Sequence, residues 1–415
     1  MIQPTITELS AKNSIPVAAI FVASLGYFVD IFDLLLFSII RIPSLESLGF
    51  KATELTGAGI LLLNMQMAGL MIGGIFWGIL GDKKGRLTVL FGSILFYSVA
   101  NIANGFTNSI ETYAFWRFIA GFGLAGELGA GITLVVELMP KEKRGYATCL
   151  IAGVGICGAV AAYFTASYFQ WRTLFFMGGG LGLVLLLLRI GVSESGMFER
   201  IKQGNGVKGD LLFILKHKSK LIKYIRTILI GIPIWFIAGI LVTLSPEFGK
   251  AFGVEGTVNA GAAVAICYAT SIFGDLISCF LSQHLKSRKT VVFAYLIIAT
   301  FSIAAFLFYH PKSLDGFYIL CALLGFSAGY WAIFITIATE QFGTNVRSTV
   351  TATATNFVRG ALVPISILFQ YLRGFFHGSI FPAALLVAIL CLTLAFMALY
   401  NLEETFSKDL DYLEE

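Results

Sequence analysis

The sequence predicts an all-α integral membrane protein: twelve transmembrane helices in two pseudo-symmetric six-helix bundles. Three observations carry this expectation. Apolar runs of about 20 residues or more, the length that crosses a bilayer, recur along the whole 415-residue chain. Charge is scarce: 13% of residues are charged and 57% hydrophobic, with a mean hydropathy of +0.84, whereas a soluble domain carries about 25% charged residues. Short marks of the first half also return in the second half at a fixed offset.

Read in order, the apolar runs place spans at 15–41, 55–80, 87–107, 110–138, 145–169, 172–192, 223–246, 257–284, 290–309, 314–340, 348–376 and 379–401. The first run is too long for a signal peptide and lacks both a basic leader and an Ala-x-Ala cleavage site. The 44 Gly and 38 Phe suit helices that pack through small residues and turn bulky ones to lipid. The six cysteines all fall within spans without a Cys-x-x-Cys pair, and read as small packing residues.

Spans two and three are joined by Gly78-Ile-Leu-Gly-Asp82-Lys83-Lys84-Gly85-Arg86, a short and strongly charged hairpin. Span four ends in Glu137-Leu-Met-Pro-Lys-Glu-Lys-Arg144-Gly145, and span ten ends in Glu340-Gln-Phe-Gly-Thr-Asn-Val-Arg347-Ser348. Glu137 and Glu340, Arg144 and Arg347, and Gly126 and Gly329 are each 203 residues apart. Gly85-Arg86 meets Ser287-Arg288 at nearly the same offset. The organisation expected is a six-helix bundle over 1–192, a cytoplasmic linker over 193–222, a second bundle over 223–401 and a tail over 402–415. Parallel halves of this kind place a solute site between them, near the bilayer midplane.

Lysine and arginine set the orientation. With a cytoplasmic N-terminus, the cytoplasmic segments hold Lys12, Lys83, Lys84, Arg86, Lys141, Lys143, Arg144, most of the 189–226 cluster, Lys286, Arg288, Lys289, Arg347 and Lys408. The opposite side holds Arg41, Lys51, Arg172, Lys250, Lys312 and Arg373. This asymmetry predicts a multi-pass protein of the cell inner (plasma) membrane with both termini cytoplasmic. The net charge of +5 therefore points to anionic headgroups of the lipid bilayer and to no nucleic acid.

The loop Gly-x-x-x-Asp-Lys-x-Gly-Arg between spans two and three resembles the signature of the major facilitator superfamily (MFS fold). Its weaker echo, Ser282-Gln-His-Leu-Lys-Ser-Arg288-Lys289, and Pro140-Lys-Glu-Lys-Arg144-Gly145 after span four are also similar to that family. Asp30-Ile-Phe-Asp33, Gly123-Leu-Ala-Gly126-Glu127 and Ser193-Glu194-Ser195 resemble its metabolite:proton and aromatic-acid:proton symporter branches. The resemblance implies that Asp82 pairs with Arg144 and latches the cytoplasmic side in one state. The expected cytoplasmic gate comprises Gly78, Asp82, Gly85, Arg86, Glu137, Arg144, Glu340 and Arg347. Read physically, Asp82 sits near the start of span three and gains from that helix's dipole, while Gly78 and Gly85 allow close approach and a tight turn.

An ionisable side chain at mid-bilayer costs about 2.5–3.5 kcal/mol on insertion scales, so each one is a functional candidate. Asp30, Asp33, Arg117, Glu127, Asp275 and Arg359 stand out. Asp30 and Asp33 share a face of span one. Two close carboxylates in low dielectric cannot both ionise cheaply, as a group that loads and releases a proton requires. Glu127, amid the glycines of span four, is a further protonation candidate. Arg117 on the same span is a candidate partner for an anion, and Glu127 and Arg117 could each pair with a span-one aspartate. Arg359 lies about 12 residues into span eleven, roughly 18 Å deep, three residues after Asn356 and five before the kinking Pro364. It suits a solute carboxylate, with pairing to Asp275 as the structural alternative. Tyr27, Tyr330 and Trp331 are the aromatic candidates for the cavity wall.

No phosphate loop, metal-ligand cluster or nucleophile constellation is visible, so neither an enzyme nor a cofactor is expected. The reading is a monomeric secondary transporter that brings in a small organic, anionic solute with protons by alternating access. A proton-coupled antiporter exporting a drug, siderophore or metabolite is the nearest alternative. It is weakened because span five carries Gly153-Val-Gly155-Ile-Cys-Gly158 without the Gly-Pro pair of the family's exporters. A non-transporting solute sensor is the alternative of another class, and tails of about 14 residues leave it no signalling domain.

Overall fold

The computed structural model describes residues 17–139, 144–190, 211–406 and 408. Within them lie twelve helical segments long and apolar enough to cross a membrane: Ile20–Ser47, Leu55–Lys84, Arg86–Asn104, Ile110–Val135, Tyr146–Ala166, Trp171–Leu188, Lys218–Val242, Ala260–His284, Arg288–Phe308, Leu314–Glu340, Arg347–Phe375 and Ile380–Tyr400. They are numbered here as spans 1 to 12. Spans 1–6 and spans 7–12 form the two bundles. The bundles meet mainly where span 2 lies along span 11 and span 5 along span 8.

Local sequence explains several starts and breaks. Ser109, Asn259, Ser287 and Ser313 each accept a hydrogen bond from the backbone N–H three residues on and so cap spans 4, 8, 9 and 10. Span 4 is interrupted at Ala125-Gly126 and span 10 at Ala328-Gly329-Tyr330, the positions that the internal repeat makes equivalent. At Gly329 the reason is contact: a Cβ on Gly274 of span 8 would lie 2.9 Å from the Gly329 Cα. Span 7 carries a π-helical turn at Ile237–Val242. Span 11 breaks at Ala361, because Pro364 has no N–H for the Gly360 carbonyl.

Two boundaries differ from expectation. Span 1 stays helical to Ser47, so Arg41, expected as the last residue of the span, lies within the helix. The expected 193–222 linker falls partly on residues 191–210, outside the described part. Its remainder is helical, with Leu211–Lys216 followed by the start of span 7. Leu211 and Ile214 pack on Ala338, Phe342 and Val346 at the ends of spans 10 and 11.

The burial pattern is inverted relative to a soluble protein. Phe273, Phe280 and Phe301 face outward, whereas Asp30, Asp33, Arg117, Asp275 and Arg359 are buried. Lipid solvates the rings and the bundle interior solvates the charges.

Candidate functional site

A central cavity of about 30 Å³ lies between the bundles, walled by Tyr27, Trp235, Tyr268, Ser271, Asp275 and Trp331 among others. That volume admits a few waters at most. The Trp331 Nε1–H donates to the Tyr27 hydroxyl at 2.7 Å across the two halves. The Trp235 and Trp331 rings meet edge to face, 6.4 Å between centroids.

Beside this cavity the Arg359 Nη2 donates to Asp30 Oδ2 at 3.1 Å, a buried ion pair between span 11 and span 1. The guanidinium also stands 5.8 Å from the centroid of Trp331 and 5.9 Å from that of Trp235. Asp30 Oδ1 and the Arg359 Nε and Nη1 have no hydrogen-bond partner. The pair therefore keeps unused donor and acceptor capacity. Pairing of Arg359 with Asp275, the structural alternative, is not what forms. Asp275 Oδ1 instead accepts from the Ala332 N–H at 3.0 Å.

Other candidates are placed elsewhere. Glu127 does not pair with a span-one aspartate: Arg189, at the end of span 6, donates to both of its oxygens and also to the Leu90 carbonyl. Arg189 closes the expected span 172–192 and is 1% exposed. Arg117 donates to Gln66 Oε1 and lies against the Phe37 and Phe175 rings, inside the first bundle and off the cavity wall. Asp33 is in the field of Arg117 and occupies the space that Gly178 of span 6 leaves open. Neither Asp33 oxygen has a hydrogen-bond partner. Tyr330 donates its hydroxyl to the Ile230 carbonyl at 2.9 Å within the second bundle. Asn356 is seam rather than cavity wall, since its Nδ2 donates to the Ala125 carbonyl at 2.8 Å.

The bundles are tied at both ends. At one end Asp82 accepts from the Ser348 N–H at 3.2 Å, the Thr349 N–H at 2.8 Å and the Thr349 hydroxyl at 2.7 Å. This carboxylate caps the first turn of span 11, in the opposite half. It thereby meets the positive end of the span 11 dipole. Arg86 lies 3.5 Å from Asp82 and donates to the Gly81 carbonyl. Gly78 brings span 2 so near that a Cβ there would lie 2.9 Å from the Thr349 Cα. Gly85 turns the chain at φ +103°, a conformation that costs glycine little. Arg347 is buried beside Ser348 and Thr349, and Glu340 lies 3.4 Å from Arg288. The Glu137 and Arg144 side chains, with the expected Asp82–Arg144 latch, lie outside the described residues.

At the other end Arg41 pairs with Glu247 at 2.9 Å, and the Thr56 hydroxyl donates to the same carboxylate at 3.1 Å. Sequence reasoning did not find this pair. The signal available was a lone arginine on the charge-poor side whose neighbours continue the helical pattern.

Comparison with known proteins agrees with this architecture. The family model described as Major Facilitator Superfamily matches residues 19–366. A protein described as a probable 4-methylmuconolactone transporter of Cupriavidus pinatubonensis is 26% identical over 358 residues, 83% of this chain and 81% of that protein. The sialic acid transporter NanX of Escherichia coli is 27% identical over 392 residues, 92% of this chain and 91% of its own. The solved proton:xylose symporter XylE superposes with a TM-score of 0.74 at 17% identity, over 95% of this chain and 97% of that one. With twelve spans in two bundles, a buried ion pair joining them and a family match over most of its length, the chain belongs to the major facilitator superfamily, a family of membrane transporters of small solutes.

Proposed function

We propose that this chain is a proton-coupled symporter that carries a small organic solute bearing a carboxylate by alternating access. The Asp30–Arg359 pair, which joins the two bundles at the cavity, is the observation that carries this reading. While Asp30 is ionised it occupies one face of the guanidinium. A proton on Asp30 weakens that bond and leaves Arg359 to bind a planar carboxylate through the forked geometry that arginine offers. Solute and proton then favour the same state, which is the requirement for symport. Rocking the bundles about the seams exposes the loaded site to the other side.

The relatives support this reading: one is named for sialic acid, and the structural neighbour is named a proton:xylose symporter. The Lys and Arg asymmetry supports a plasma-membrane orientation with both termini cytoplasmic, which makes the Asp82 end the cytoplasmic gate.

The test is flux in proteoliposomes, with solutes chosen by thermal shift of the purified protein against a metabolite library at acid and neutral pH. Wild type accumulates the solute when an inward proton gradient is imposed. Asp30→Asn retains counterflow and loses gradient-driven accumulation, and Arg359→Ala weakens binding of carboxylates selectively. Full accumulation by the Asp30→Asn protein would refute the coupling role.

A further inference from the structure

Asp275 of span 8 lines the same cavity and is fully buried. Its Oδ1 is held by the Ala332 N–H, while its Oδ2 has no hydrogen-bond partner. Among the described residues no cation pairs with it, because Arg359 is committed to Asp30. A buried carboxylate without a counter-charge is costly. The wall around it is aromatic: Tyr27, Trp235, Tyr268 and Trp331. Indole and phenol faces attract cations and raise their affinity when water is excluded. A carboxylate with a free oxygen inside an aromatic box is a binding surface for positive charge, not for an anion.

Trp331 links this box to the arginine. Its ring lies 5.8 Å from the Arg359 guanidinium, its Nε1–H reaches Tyr27, and the next residue, Ala332, holds Asp275. Receptors of opposite charge thus flank one indole. We propose that Asp275 and its aromatic walls form a subsite for a cationic nitrogen, so that the solute is a zwitterion whose carboxylate lies at Arg359. This assignment rests on the symporter reading above and narrows it from an anion to a molecule of zero net charge. The cavity admits only waters while the bundles are closed, so the solute enters when they part.

Four pyridines of nearly one shape separate the two charges. Pyridine-3-carboxamide is neutral, pyridine-3-carboxylate is an anion, and their N-methyl derivatives are a cation and a zwitterion. Binding of each to the purified full chain is read by quenching of tryptophan fluorescence and by calorimetry at neutral pH. The subsite predicts that N-methylation tightens binding at least tenfold in both the amide and the acid, with the zwitterion the tightest of the four. Asp275→Asn keeps a carbonyl for the Ala332 N–H and removes only charge, so it erases the gain from N-methylation. Arg359→Ala erases the gain from the carboxylate instead. No gain on N-methylation in the wild type, or no binding by either N-methylated compound, overturns the subsite even if the variants fail to fold. Loss of the carboxylate preference alone would sink the Arg359 reading and leave the Asp275 subsite standing.

Discussion

Asp82→Asn isolates what holds the two bundles together at the end that carries the 82–86 joint. The carboxylate accepts three hydrogen bonds from Ser348 and Thr349, at 2.7–3.2 Å, at the positive end of span 11. Hydrogen bonds to a charged group contribute about 1.5–3 kcal/mol each, and an anion at a helix N-terminus gains about 0.3–1 kcal/mol or somewhat more when buried. Asparagine keeps one carbonyl acceptor of the two oxygens and loses the charge. The net loss is therefore about 2 kcal/mol, felt only in the conformation in which this end is joined. At about 1.4 kcal/mol per tenfold, the ratio of joined to parted forms falls about 30-fold.

Spin labels on Lys84 and Lys286, exposed on opposite bundles, report that parting as a distance distribution. The exposed Cys157 is first replaced by serine. A second label pair on Lys51 and Lys250, both exposed near Glu247, reads the opposite end. Wild type gives a short principal distance at Lys84–Lys286, and Asp82→Asn moves most of the population to a longer one while the Lys51–Lys250 distances stay short. An unchanged Lys84–Lys286 distribution in a folded Asp82→Asn protein would show that the span 11 cap is not the latch.

The mirror experiment is Glu247→Gln, which removes the partner of Arg41. It should lengthen the Lys51–Lys250 distances, and combined with Asp82→Asn it should return the balance toward wild type, as read with the same labels. Arg359→Met leaves Asp30 buried without its cation, a loss of about 3–5 kcal/mol. The Asp30→Asn/Arg359→Met double variant should recover a large part of that loss in thermal unfolding, and full additivity of the two singles would refute the pairing. Glu404 gives a pH signature. Burial raises its pKa, but hydrogen bonds from Ser287 and from the backbone N–H groups of Arg288, Phe406 and Lys289 outweigh burial and hold the carboxyl below its usual range. A carboxylate depressed in the folded state stabilises above its ordinary value, about 4.3, and that stabilisation is lost as pH falls toward the folded value. Between about pH 5 and pH 3 wild type should lose more thermal stability than Glu404→Gln. Equal slopes would contradict the cap that Glu404 makes on span 9.

The twelve spans were legible because each depends on length and apolar composition alone, and the observed ends lie within a few residues of those expected. The two-fold architecture was legible from the 203-residue offset, which also locates the interruptions of spans 4 and 10. Partners were harder. Asp82 stood out in the charged joint after span 2, but its acceptance of the Ser348 and Thr349 N–H groups depends on span 2 lying against span 11, 266 residues away in sequence. The Arg189–Glu127 pair was not legible because Arg189 closes an apolar run, where a solvated charge and a buried arginine look alike. The end of span 1 was expected too early, at Arg41: Pro43 suggests a helix end, yet the helix continues past it. The Asp30–Arg359 pairing joins two sequence candidates whose meeting only the packing of the halves decides. Asp275 stood out as an intramembrane charge, but its free oxygen and aromatic surroundings are properties of three dimensions.

The ion pairs differ in whether movement of one bundle against the other disturbs them, and this decides which carboxylate suits proton coupling. Glu127–Arg189 and Arg288–Glu340 each lie within one bundle. A rigid-body motion carries both partners together, so their geometry is the same in either state. Such pairs hold a bundle's shape. Asp30–Arg359, Arg41–Glu247 and the Asp82 cap on span 11 each cross between bundles, so motion must stretch or break them. Of these three, Arg41–Glu247 and the Asp82 cap lie at opposite ends, and a rocking motion can break one while keeping the other. Asp30 alone is both at the cavity and across the seam. Its proton affinity therefore depends on where Arg359 stands, and Arg359 depends on whether solute is bound. A mutation at Glu127 should accordingly lower stability without uncoupling transport, whereas one at Asp30 should uncouple transport.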